Sequence, residues 1–181
     1  MAATLSINLP FGSAYMAPGT GILLNDEMDD FAASATASNA YGLIGSQANL
    51  VAPRKRPLST MSPTFVEGPN GVLILGTPGG SRIATMVLLG ILNFVNGVDA
   101  KAIVAAPRYH HQFLPDVVQY EPGAFSPTEL GRLGTMGHEL KPVEAGYGNL
   151  QAVLWRPASD TLEAAADPRG VGSGEVRLVK R

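Results

Sequence analysis

Four clusters in this chain hold residue types that can do chemistry. Asp26-Glu27-Met28-Asp29-Asp30 sets four carboxylates in five positions. Crowded carboxylates raise one another's proton affinity and favour a neighbouring cation. Two readings stay open at this point: a solvated acidic turn or helix N-terminus, and a seat for a cationic group such as an ammonium. A metal seat fits less well, since no His lies nearby and EF-hand spacing is absent. The second cluster is Pro53-Arg54-Lys55-Arg56-Pro57-Leu58-Ser59-Thr60-Met61-Ser62-Pro63. It reads either as an irregular loop with exposed charge or as hydroxyl and N–H donors for an anion such as a carboxylate. The third, Thr77-Pro78-Gly79-Gly80-Ser81-Arg82, links a strand to an apolar helix. Glycines there let backbone N–H groups approach a ligand at a helix N-terminus, as an oxyanion hole requires; a plain tight turn is the alternative. P-loop spacing is absent. The fourth is Tyr109-His110-His111-Gln112, with His138 the one further histidine. Adjacent histidines point apart, so a hydrogen-bonding loop is preferred to a metal or catalytic pair.

The elements that must carry these clusters follow from periodicity. Ala2 to Leu9 alternates as a strand, and Gly21 to Leu24 reads as a short buried strand ending in the acidic cluster. Residues 31–63 form a long irregular stretch, of the kind that is usually functional inside a compact domain. Thr64 to Val66 and Val72 to Gly76 flank a hairpin signal with Asn70-Gly71 at the turn. Arg82 to Phe94 is a helix apolar nearly all round, which predicts burial. Ala100 to Ala105 is a second helix capped by Asp99. Val117 to Tyr120 is a strand. Ser126-Pro127-Thr128-Glu129 is a capping box opening a helix that runs to Met136 and stops at Gly137. Asn149 to Trp155 is a strand, and Glu175 to Val179 a last one. Trp155 and the methionines read as core. Strands, helices and strands again make the class α+β or layered α/β.

Composition narrows the partners. Of 181 residues 45% are hydrophobic and only 15% charged, so a disordered, charge-rich chain is excluded and a surface partly covered by another chain is suggested. Gly and Pro number 21 and 14, which predicts many turns. The net charge of −2 and scattered basic residues argue against nucleic acid. With no cysteine, disulfides, thiolate metal sites and a Cys nucleophile are excluded. No apolar run is long enough for a membrane span, and no signal peptide begins at Met1.

Taken together and in order, the motifs resemble the small subunit of γ-glutamyltranspeptidase (glutathione hydrolase), an N-terminal-nucleophile hydrolase. The matching pieces are FGS at Phe11 to Ser13, GILLNDEMDDF at Gly21 to Phe31 and KRPLSTMSPT at Lys55 to Thr64. GTPGGSRI at Gly76 to Ile83, APRYHHQFLPD at Ala106 to Asp116 and ADPR at Ala166 to Arg169 follow. The resemblance implies one small-subunit-like domain over 1–181, truncated at its N-terminus. It is α+β, the C-terminal half of a four-layer αββα sandwich completed by the large subunit of the same precursor. The implied reaction cleaves γ-glutamyl amides such as glutathione through a γ-glutamyl–enzyme ester, resolved by water or by an amino acid or peptide acceptor. No cofactor, metal or nucleic acid is implied. By motif, Glu27 and Asp30 hold the α-ammonium, and Ser59 and Thr60 the α-carboxylate. Gly79 and Gly80 form the oxyanion hole, Asn8 lines the site, and Ser6 lies beside the nucleophile. Two departures stand out. The family usually has two serines where this chain has Ser59-Thr60, which narrows the pocket. The nucleophilic Thr that begins the family's small subunit is absent, and Thr4 falls inside the first strand in the matched register. A non-catalytic γ-glutamyl-binding or assembly domain is the alternative function. A related acylase is a third, disfavoured because Glu27, Asp30 and Ser59 suit a zwitterionic head. The family is mostly periplasmic or extracellular; the chain would be cytoplasmic if Met1 is the true start.

Overall fold

The computed structural model describes residues 5–178. The chain divides into two units, one running to Ser59 and the other beginning at Thr60.

The first unit is built from turns. A two-residue hairpin pairs β1 (Met16–Ala17) with β2 (Ile22–Leu23). Gly12 closes against this segment: a Cβ there would lie 2.4 Å from the Leu24 carbonyl oxygen. A 3₁₀ turn over Glu27–Asp30 follows, then a second over Gln47–Asn49. Isolated bridges join Ala32 to Leu50 and Ser38 to Ile44. Two expectations change here. The alternation from Ala2 to Leu9 does not give a strand over residues 5–9; Ala2 and Thr4 lie outside the described residues. Asn8 and Leu9 adopt φ of 55° and 47°, and the Ser6 hydroxyl accepts from the Asn8 N–H at 3.0 Å. Local side-chain bonds have displaced a ladder, and Leu5 stands 96% exposed. Gly21 to Leu24 is likewise a shorter and more exposed strand than its apolar run suggests.

The second unit holds the core. Strands β3 (Thr64–Gly68) and β4 (Gly71–Gly76) form an antiparallel hairpin. Its two-residue loop is Pro69-Asn70, and Gly71, at φ 114°, already belongs to the strand. A Cβ on Gly71 would lie 2.2 Å from the Trp155 carbonyl oxygen, so glycine is required. A 3₁₀ turn over Gly80–Arg82 leads into helix α1 (Ile83–Val95), and helix α2 (Ala100–Ala105) follows. Asn70 Nδ2 donates to the carbonyls of Phe94 and Val95, both at 2.9 Å, closing the C-terminus of α1. Asp99 caps α2 by accepting from the Ala102 N–H at 2.7 Å. Next come β5 (Tyr109–His110), β6 (Val118–Tyr120), helix α3 (Pro127–Thr135) and β7 (Leu140–Pro142). The capping box of Ser126 and Glu129 forms as its residues dictate. Strands β8 (Gln151–Arg156) and β9 (Thr161–Ala166) complete the main sheet.

The main sheet is antiparallel throughout, in the order β3-β4-β8-β9; a smaller one has the order β5-β6-β7. One face of the main sheet buries Leu73, Leu75, Ala152 and Leu154 against α1 and α2, through Ile83, Val87, Phe94, Ala100, Ile103 and Val104. Burying one such side chain is worth about 1.5–3 kcal/mol. Gly90 admits this approach, because a Cβ there would lie 2.6 Å from Leu75.

Three expectations about this unit are corrected. Helix α1 buries one face only, since Leu88, Leu92 and Val95 are exposed. Trp155 is 46% exposed on the sheet's open face, and among the described methionines Met86 alone joins the buried core. Residues 175–178 form no ladder, and Val179 lies outside the described residues. Strand β9 was hidden in a Gly-rich, polar tail. Its TLEAAA sequence favours helix, but Asp160 at φ 50° turns the chain so that six residues pair with β8.

Candidate active site

The acidic cluster becomes a tight 3₁₀ turn. The Asp26 N–H donates to the Ile7 carbonyl at 3.1 Å, and the Asp29 N–H to the Asp26 carbonyl at 2.8 Å. Asn25 Oδ1 accepts from the Glu27 N–H at 3.1 Å. Asn8 Nδ2 reaches the Asp26 carbonyl at 3.4 Å, so Asn8 lies beside the turn, with Ser6 bonded to its amide. Asp26 Oδ1 and Glu27 Oε1 are buried without a hydrogen-bond partner among the described residues. The Asp30 carboxyl is pushed up to about 6, first by burial, then by its hydrogen bond to Glu27 and the charges of Glu27, Asp26 and Asp29. Negative charge is therefore held here in excess, and a cation would relieve it. That distinguishes the turn from an ordinary solvated acidic loop.

Ser59 ends the same unit. The residue before it, Leu58, is fixed by its N–H donating to Asn49 Oδ1 at 3.0 Å. Lys55 folds back on the same loop and donates to the Leu50 carbonyl at 2.8 Å. Thr60 opens the second unit, where its carbonyl accepts from the Ser62 hydroxyl at 3.0 Å.

Gly79 and Gly80 lie between β4 and α1. Gly79 has φ 145° and Gly80 φ 57°, conformations that exclude ordinary side chains without strain. A Cβ on Gly79 would lie 2.6 Å from Met86 Cε. The Gly79 carbonyl accepts from the Arg82 N–H at 3.2 Å, while neither glycine's own N–H meets an acceptor among the described residues. Thr77 steadies the preceding residue, donating to the Pro78 carbonyl at 2.8 Å and accepting from the Asn149 N–H at 3.1 Å.

The histidine loop braces this turn. Ser81 Oγ donates to Gln112 Oε1 at 2.8 Å, and Gln112 Nε2 donates to the Leu114 carbonyl at 2.6 Å. His110 Nε2 lies 3.0 Å from the same Oε1, which can only accept, so Nε2 carries the proton. His110 Nδ1 then accepts from the Thr85 hydroxyl at 2.9 Å. Burial, and then the charges of Arg82 and His111, hold the His110 pKa below its usual value, against a hydrogen bond to Gln112. His111 Nε2 pairs instead with Asp116 Oδ1 at 2.7 Å. Among the described residues no three His, Cys, Asp or Glu side chains gather as metal ligands.

Sequence reasoning gave no role to a buried charge network in the second unit. Arg108 pairs with Asp167, and Arg169 pairs with Glu121 at 2.6 Å and Asp167 at 3.1 Å. Asp167 also accepts from the Leu150 N–H at 2.8 Å, and Glu121 from the Arg108 N–H at 2.9 Å. Arg169 donates to the carbonyls of Val104, Ala105 and Ala106 at the end of α2. Burial alone would raise the Asp167 carboxyl; the Arg169 amide, the Arg108 guanidinium and the Leu150 amide outweigh it and hold it below its ordinary value. The signal available was the motif pair Ala106 to Asp116 and Ala166 to Arg169, whose arginines are the ones used. Tyr147, beneath the Arg82 guanidinium at 4.5 Å, is pushed up to about 12 by burial and the Glu121 charge.

Comparison with known proteins identifies the family. The family described as Gamma-glutamyltranspeptidase matches residues 1–176. The chain is 44% identical over 173 residues to the glutathione hydrolase proenzyme of Escherichia coli K12, covering 94% of this chain and 29% of that protein. It is 42% identical to the glutathione hydrolase proenzyme of Pseudomonas aeruginosa PAO1, covering 96% of this chain and 31% of that one. It thus spans under a third of the length of these curated relatives. Among solved structures, a γ-glutamyltranspeptidase chain from Pseudomonas nitroreducens complexed with L-DON superposes with a TM-score of 0.85 at 41% identity, covering 97% of this chain and 92% of that chain. The T380A mutant of Helicobacter pylori γ-glutamyltranspeptidase gives 0.86 at 39% identity, covering 93% and 92%. The α+β architecture is thereby of the N-terminal-nucleophile hydrolase type. On sequence and fold alike, this chain belongs to the γ-glutamyltranspeptidase family.

Proposed function

We propose that this chain is the small-subunit portion of a γ-glutamyl hydrolase and transpeptidase acting on γ-glutamyl amides such as glutathione. The observation that carries the proposal is the acidic turn, with its raised Asp30 carboxyl and buried Asp26 and Glu27 oxygens that have no hydrogen-bond partner among the described residues. An α-ammonium supplies the missing positive charge. By motif match, Glu27 and Asp30 take the ammonium of the glutamyl head, with Asn8 lining the site. Ser59 and Thr60 take its α-carboxylate through their hydroxyls. The N–H groups of Gly79 and Gly80, which meet no acceptor among the described residues, take the oxyanion of the tetrahedral intermediate, where one strong donor is worth about 3–4 kcal/mol. Ser6 stands beside the nucleophile. That nucleophile is the family's N-terminal Thr hydroxyl, freed by self-cleavage of a precursor. The residues named here serve substrate recognition and transition-state stabilisation, with the large subunit of the precursor as partner and an amino acid or peptide amine as acceptor. No helix among the described residues is long and apolar enough to cross a membrane. The proposed location of the full-length protein is the periplasm or the cell exterior, a reading supported by its family membership.

The test uses the full-length precursor after self-cleavage. Asp30→Ala should lower γ-glutamyl turnover by about 10- to 100-fold, the loss of one charge-assisted contact of roughly 1.5–3 kcal/mol. Asp26→Ala should cost much less. Equal activity in the two variants would remove the assignment.

A further inference from the structure

Asn49 carries no chemistry of its own, yet its side chain joins the two stretches that receive opposite ends of the proposed substrate head. Its Nδ2 donates to the Asp30 carbonyl at 2.7 Å, across nineteen positions of sequence. Its Oδ1 accepts from the N–H of Leu58, the residue before Ser59, at 3.0 Å. The partners fix the amide's orientation, because a carbonyl requires the NH₂ end and an N–H requires the oxygen. The main chain adds to the same junction. The Asn49 carbonyl accepts from the Ala32 N–H at 2.9 Å, and its own N–H donates to the Ser46 carbonyl at 3.0 Å. The half-buried side chain is thus held from both sides.

Both stretches are irregular backbone. Asp30 ends a 3₁₀ turn, and Leu58-Ser59 belongs to no helix or strand. The Ala32–Leu50 bridge ties the backbones behind them, and the Asn49 amide is the side-chain link that reaches from the Asp30 carbonyl to the Leu58 N–H. A glutamyl head carries its ammonium and carboxylate on one carbon, and their separation is therefore fixed by covalent geometry. A site for both charges must hold its two halves at a matching separation.

We propose that Asn49 is a positioning residue that sets the spacing between the ammonium-binding Asp30 and the carboxylate-binding Ser59, and so governs affinity for substrates carrying both charges. The proposal rests on the reading of Glu27, Asp30 and Ser59 as the glutamyl-head site. It predicts an effect on KM rather than on the chemical step, because the Gly79-Gly80 amides are not part of this junction.

The experiment uses the self-cleaved full-length enzyme with two variants. Asn49→Ala removes both bonds. Asn49→Asp keeps the shape and the Leu58 bond but turns a lone pair on the Asp30 carbonyl. In each, the KM for γ-glutamyl-p-nitroanilide should rise about tenfold, kcat should stay within about threefold, and self-cleavage should proceed at the parental rate. The Asp variant adds negative charge, which favours the ammonium and opposes the α-carboxylate, so a raised KM in the uncharged Asn49→Ala as well reports geometry. The preference for γ-glutamyl over glutaryl anilide, which lacks the ammonium, should fall in both. An unchanged KM in Asn49→Asp, with a raised KM in Asp30→Ala, overturns the positioning role alone. Unchanged KM in Asn49→Asp and Asp30→Ala together overturns the head-site reading beneath it. Slowed self-cleavage with KM and kcat damaged in proportion in both Asn49 variants reduces the residue to a structural role and also overturns the proposal.

Discussion

Lowering the pH should weaken substrate binding through one group, Asp30. Its carboxyl is pushed up to about 6 in the ligand-free fold by burial and by the neighbouring carboxylates of Glu27, Asp26 and Asp29. Binding an ammonium requires the ionised form. With a midpoint near 6, the ionised fraction is about 0.97 at pH 7.5 and about 0.1 at pH 5, so KM should rise roughly tenfold between them. The assay is the pH dependence of KM for γ-glutamyl-p-nitroanilide, whose own ammonium and α-carboxylate keep their charges across this range. Asp30→Asn should bind more weakly at neutral pH and lose the acid limb of KM. His110, held low by its burial, supplies an internal control: it braces the Gly79-Gly80 turn, so its protonation should act on kcat, not on KM, and remain in Asp30→Asn. The same shift has a sign for folding. A carboxyl whose folded pKa exceeds its unfolded value keeps its proton longer when folded, so its contribution to stability falls as pH rises from about 4 to about 6. A wild-type KM that stays flat from pH 7.5 to 5, or an Asp30→Asn profile that keeps the limb, would refute the reasoning.

On the proposed oxyanion role, Gly79→Ala should lower kcat by about 10²–10³ with little change in KM, because it disturbs the turn that carries the two amides. The cause is local: Gly79 has φ 145°, and the new Cβ would lie 2.6 Å from Met86 Cε. Steady-state kinetics on the self-cleaved enzyme checks this, and an unaltered kcat counts against the oxyanion role. Asp167→Ala should destabilise the protein by about 3–5 kcal/mol, since it leaves the buried Arg108 guanidinium without its carboxylate. Denaturant unfolding of the assembled protein measures it, and a loss below about 1 kcal/mol would show that the network is dispensable.

Local rules written in short runs of residues were legible in advance. The β3–β4 hairpin, the Asp99 cap of α2, the Ser126 capping box and the strand now labelled β8 all depend on neighbours a few positions away, so the sequence states them. The same holds for the motifs Glu27–Asp30, Lys55–Thr64 and Gly76–Ile83, whose order carried the family resemblance.

What the sequence could not state depends on partners far along the chain. Ala2 to Leu9 alternates like a strand, but over residues 5–9 no neighbouring strand supplies hydrogen bonds, and Ser6 and Asn8 satisfy the backbone locally instead. Strand β9 has helix-favouring residues, yet β8 offers it six paired positions and wins. Apolar character likewise says that α1 must pack, while the single sheet beneath it decides which face does. The charge excess at Asp30, the Arg108–Asp167–Arg169–Glu121 network and the Asn49 junction are all of this second kind. A carboxylate's proton affinity, a buried ion pair and a bridging amide each depend on groups brought within a few ångströms by folding, and residue order alone does not carry that distance.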